Sequence, residues 1–172
     1  MRQTLQTLLV FLLSLAAPLS LHAEEPPLLG SLFTQVALDP TTYVPAPIAY
    51  SASRRDWDTS QVFFQHGYLE ANPYYTISDR PNSYPVSYQE GNRRVRNAAL
   101  WILGFSALNN LTEEVVEHQF LNHQLEHRTL VRTLGWIERI GFAAGLTYVQ
   151  SHRHFQQATT NEQLARQYGW IR

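Results

Sequence analysis

No segment of this chain alternates apolar and polar residues for long enough to build a sheet. Its apolar residues recur instead at helical spacing, between capping and turn residues. Residues 57–71 read as a first helix, with Asp56 or Asp58 as N-cap and Asn72-Pro73 as the stop. A second helix is expected over 92–111. Thr112, with Glu113 and Glu114 behind it, either caps a third helix to about 127 or continues the second as one kinked helix. Another helix is expected over 129–154. Thr159-x-x-Glu162 and Thr160-x-x-Gln163 are capping boxes for a short C-terminal helix, about 161–168, closed by Gly169. The expected fold is all-α, a small bundle of four or five helices.

The ends of the chain add to this. Arg2, the apolar run 8–17, Pro18 and the small-residue site Leu21-His22-Ala23 have the order of a secretory signal. The apolar run is short for a membrane span, which favours cleavage before Glu24. Residues 24–50 hold Pro26, Pro27, Pro40, Pro45 and Pro47, and read as an extended proline-rich arm. The division is therefore a signal peptide at 1–23, an arm at 24–50 and a helical domain at 51–172. Within the domain, 74–92 is a long loop with four tyrosines, and loops of that length are often functional.

Composition closes several classes. There is no cysteine, so disulfides, thiolate metal sites, a cysteine nucleophile and lipid attachment through cysteine are all excluded. All 13 basic residues are arginine, which excludes lysine Schiff-base chemistry. A net charge of −1 gives no footprint for nucleic-acid binding. No glycine-rich phosphate loop marks a nucleotide cofactor, and no G-x-S-x-G marks a serine hydrolase. The longest uncharged stretches beyond the signal, 97–112 and 140–151, are shorter than a spanning helix needs. They read first as core helices and second as short membrane-embedded or interfacial ones.

Three polar constellations stand out. On the helix expected at 57–71, Asp56, His66 and Glu70 fall in one stripe. This is the residue set of a metal half-site or an acid–base cluster, or else of a solvated face. His123, Glu126 and His127 form H-x-x-E-H, in which two imidazoles can hold zinc or another divalent metal while the glutamate activates water. Helix C-terminal histidines favoured by the macrodipole are the plain alternative. Arg132, Glu138 and Arg139 lie inside an apolar helix. Buried arginines must find carboxylates, with Glu70, Glu114 and Glu117 as natural partners, so an ion-pair network is expected. Gly141-x-x-x-Gly145 would permit a close helix contact.

Asp56-Trp57-x-x-Ser60, followed by His66-Gly67-Tyr68-x-Glu70-x-Asn72 and then Pro73, resembles a signature in an uncharacterised family of small bacterial exported or membrane proteins. Glu126-His127-Arg128 and Trp136-x-Glu138-Arg139 are similar to that group as well, so the resemblance runs from about Asp39 onward. It implies no activity, but it does imply inner-membrane association. The expected function is therefore a periplasmic or cell-envelope protein, structural or binding rather than enzymatic, with a protein or membrane-surface partner. Trp57, Phe64 and the tyrosine loop are candidate aromatic anchors for that partner. The alternative is a divalent-metal binder or small metal-dependent hydrolase built on H-x-x-E-H.

Overall fold

The computed structural model describes residues 28–123 and 127–172. The signal expected at 1–23 and Glu126 of the H-x-x-E-H motif lie outside them. The described chain forms an all-α bundle: α1 (Leu28–Leu38), α2 (Pro40–Tyr43), α3 (Pro45–Gln65), a 3₁₀ turn (Pro73–Tyr75), α4 (Tyr88–His123) and α5 (Arg128–Gln167).

The described part of the segment expected to be an extended arm is mostly helical, interrupted at Asp39 and Val44. Two of its prolines open helices instead of preventing them. Pro40 and Pro45 stand at the first positions of α2 and α3, where a missing N–H costs nothing and the fixed φ suits the helix. Asp39 caps α2, its Oδ1 accepting the N–H of Thr41 at 2.8 Å. The helix expected from Trp57 thus starts twelve residues earlier, and Asp56 and Asp58 lie in its interior. It also stops sooner, because Gly67 takes φ +85° directly after His66.

The later helices merge. The threonines expected to cap new helices bond backwards within continuous ones: Thr112 Oγ1 to Leu108 O and Thr159 Oγ1 to Phe155 O, both at 2.9 Å. α4 and α5 are consequently single helices of 36 and 40 residues.

The contacts fix the directions. Asp56 meets His154, Ser60 meets Asn161 and Phe63 meets Trp170, so α3 and α5 run parallel. Asn109 meets Glu138 and Glu117 meets Arg132, so α4 is antiparallel to α5. The α5 side of the α3 seam is Ser151, His154, Ala158, Asn161 and Ala165, at the alternating three-and-four spacing of a coiled coil. Ala158 and Ala165 are fully buried there. Small residues let the backbones approach; His154 and Asn161 each bond a partner on α3 and so pin the register.

At one end of the bundle, Trp57 stacks on Tyr75 with ring centroids 5.3 Å apart, and Val86 and Val95 complete this core. A methyl group on Gly91 would overlap the Trp57 indole, so only glycine fits there. Trp57 and Tyr75 are therefore internal anchors, and neither is available to a partner. Among the described residues, a methyl at Gly141 or Gly145 would meet nothing within 4 Å, so the expected close contact is not made there. The close approach falls at Gly135, where a Cβ would lie 2.6 Å from Glu113 Oε1.

Candidate functional site

A cavity of about 520 Å³ opens between α3, α5 and the loop that follows α3. Its floor comes from α3, which contributes Asp56, Trp57, Ser60 and Phe64. α5 contributes Arg153, His154, Gln157 and Asn161 to the facing wall. The loop closes the third side with Tyr68, Glu70, Asn72 and Tyr75. That loop is held in place by backbone bonds. Glu70 and Ser83 exchange two hydrogen bonds, of 2.9 and 3.2 Å, and Val86 N–H donates to Tyr75 O at 2.8 Å. The turn at Gly67 is what carries Glu70 off the helix axis and around to the cavity.

Three titratable groups, Asp56, Glu70 and His154, line this cavity. His154 Nδ1 lies 2.7 Å from Asp56 Oδ2. A carboxylate oxygen accepts, so Nδ1 carries the proton in this bond and Nε2 is left for another partner. Glu70 Oε1 accepts the N–H of Asn72 at 2.7 Å. Burial, joined by the negative charge of Asp56, pushes the Glu70 carboxyl above its ordinary range; the backbone N–H groups of Asn72 and Ala71, and His154, pull the other way. Burial likewise pushes the Tyr75 phenol up.

The expected stripe of Asp56, His66 and Glu70 is therefore redrawn. His66 leaves the cluster: it ends α3, bonds Val62 O through Nδ1 at 2.7 Å and stacks on Trp170 with centroids 3.8 Å apart. His154, which the sequence places at the end of a helix, lies in the interior of α5 and takes the position beside Asp56. Its signal in the sequence is the recurrence of 151, 154, 158, 161 and 165.

The arginine network sits elsewhere in the bundle, and Glu70 is not part of it. Buried Arg139 meets Glu114, Glu117 at 3.6 Å and Asp39 at 3.4 Å, tying α4, α5 and the start of α2 together. Exposed Arg132 reaches Glu117 at 3.5 Å. Glu138 accepts instead from Asn109 Nδ2, at 3.3 Å. Asp39, which caps α2, is the partner the sequence gives no means to foresee.

His127 is exposed at the start of α5, where no side-chain cap bond forms, and not at the helix C-terminus expected from the sequence. Among the described residues, no three histidine, aspartate or glutamate side chains converge as metal ligands. No family model, no curated protein and no solved structure matches this chain.

Proposed function

We propose that this is an exported cell-envelope protein that binds a small ligand in the cleft between α3 and α5 and rests by its outer face on the membrane surface. The export element of the reading rests on the order of residues 1–23. The binding element rests on one observation. A half-buried carboxyl, Glu70, faces a second carboxyl, Asp56, across an aromatic-walled cavity of about 520 Å³. Cavities of that size with a few convergent polar groups are the usual form of small-molecule sites, and a polar group held away from water asks for a partner. The membrane element is supported by exposed apolar side chains on α4 and α5, while no described helix is long and apolar enough to cross a bilayer.

The cleft is tested by titrating a panel of small amines, sugars and carboxylates into ¹⁵N-labelled mature protein. Amide shifts concentrated at 70–72 and 150–161 support the reading. A panel in which no member shifts these amides overturns it.

A further inference from the structure

The charges lining the cleft point to the chemistry of its ligand. Elsewhere many of the described carboxylates sit on arginines, as Glu162 does on Arg55 and Glu114 on Arg139. In the cleft none does. Among the described residues no arginine pairs with Asp56 or Glu70; Asp56 holds His154, and Glu70 holds only backbone N–H groups. Arg153 lines the same cavity but is exposed and makes no ion pair among the described residues. Solvent screens its charge far more than those of the two half-buried carboxyls.

We propose that the cleft takes an organic amine, its ammonium group seated between Asp56 and Glu70 and its body laid against Phe64 and Tyr68. This rests on the cleft being a ligand site. A cation in that position relieves the repulsion between the two carboxyls and replaces the water each has lost. An inorganic ion fits less well, because no described set of three ligands converges and the space is far larger than one ion needs. Aromatic walls suit a weakly hydrated organic cation. A sugar would need free amides, yet two of the four that line the cleft are already used on neighbouring side chains. Gln157 Nε2 donates to Asn161 Oδ1 at 2.9 Å, and Asn161 Nδ2 donates to Ser60 Oγ at 3.0 Å.

Binding also moves a proton. Asp56 from α3, His154 and Arg153 from α5, and the phenols of Tyr68 from the loop and Tyr75 from the 3₁₀ turn are the titratable and charged groups that line the cavity with Glu70. Burial favours the protonated form of Glu70 in the empty cleft, and an ammonium group favours the ionised form. At a pH where Glu70 still carries its proton, amine binding therefore releases it, and affinity rises with pH up to the raised Glu70 value.

The experiment is calorimetric titration of the mature protein with phenethylamine, putrescine and spermidine, beside phenethyl alcohol as the neutral analogue of the first. It is run in buffers of differing ionisation enthalpy, so that proton release is read directly. At least one amine is expected to bind one to one. Phenethylamine should bind about tenfold or more tightly than the alcohol, as for one charge-assisted hydrogen bond. Glu70→Gln keeps an acceptor for Asn72 N–H, so the loop should hold; it should weaken amine binding by a similar factor and abolish proton release. Arg132→Ala, distant from the cleft, should leave both unchanged. Equal affinity for amine and alcohol overturns the proposal, and so does amine binding that Glu70→Gln leaves intact. If sugars or carboxylates shift the cleft amides while no amine binds, the ligand class is wrong and the cleft stands as a site. If nothing in the panel binds, both readings fall.

Discussion

Glu70 owes its position to one residue. The helical wheel places it one turn beyond His66, on the same stripe as Asp56, but Gly67 adopts a left-handed φ that ends α3 first. The chain then doubles back and presents Glu70 to Asp56 from across the cavity. The clue lay in the sequence, as glycine is the commonest residue just past a helix end, but Asn72-Pro73 is the louder stop and masks it. The consequence for stability has a definite sign. The carboxyl is raised in the folded state, first by burial and then by Asp56, so the folded protein holds this proton more tightly than the unfolded chain does. Its contribution is fully present below the ordinary carboxylate value and is lost as pH rises through the folded value. Glu70→Gln cannot ionise and does not suffer that loss. Relative to the parent, the variant should therefore gain stability as pH rises from the ordinary carboxylate value, about 4.3, through the raised folded value, read as the change in urea midpoint at each pH. A difference that stays constant across this range would show that Glu70 does not ionise at a cost.

At the scale of elements, α5 shows which patterns are easy to read and which are not. Its apolar first half reads readily as helix, and Arg132 and Arg139 within it read as groups that must find carboxylates. Its second half carries the seam, and there the repeating residues are Ser151, His154, Ala158, Asn161 and Ala165. A search for large apolar residues passes over them. The capping boxes at Thr159 and Thr160 suggested a break, but packing against α3 outweighs a local preference worth about 1 kcal/mol. The boundaries were thus less legible than the helices themselves. The arginines, in turn, differ in what they stabilise. Arg139 is almost wholly buried against Glu114, Glu117 and Asp39, whereas the Arg132 side chain is 57% exposed. Arg139→Leu leaves Asp39 and Glu114 without their buried cation, and Glu117 with only the exposed Arg132, and should cost about 3–5 kcal/mol. Arg132→Ala removes only a screened surface pair and should cost no more than about 1 kcal/mol. Equilibrium denaturation of the two variants measures the contrast. Equal losses would mean that the network does not depend on Arg139.

Over the whole molecule, the all-α class followed from periodicity alone, because nothing in the chain alternates. What periodicity could not show is which apolar positions the bundle leaves uncovered. Leu130, Leu134 and Ile137 recur on one face of α5, and all three are exposed, with Trp136 and Ile140 exposed beside them. Leu100, Trp101 and Phe105 are exposed on α4. Apolar residues scattered singly over a surface are ordinary, but a row of them along one helix marks a contact surface. No described helix is long and apolar enough to cross a bilayer, so the membrane contact proposed above is one with the interfacial layer, where an apolar helix face sinks part-way among the headgroups. Fully burying a large aliphatic side chain is worth about 1.5–3 kcal/mol. Leu134→Gln with Ile137→Gln should therefore lower membrane partitioning by at least about tenfold. Both sites face solvent, so folding stability should hold within about 0.5 kcal/mol. The measurement is flotation of the mature protein with vesicles of phosphatidylethanolamine and phosphatidylglycerol. Parent protein that stays at the bottom of the gradient removes the membrane from the reading. Parent protein that floats while the double variant floats equally well moves the contact to another face.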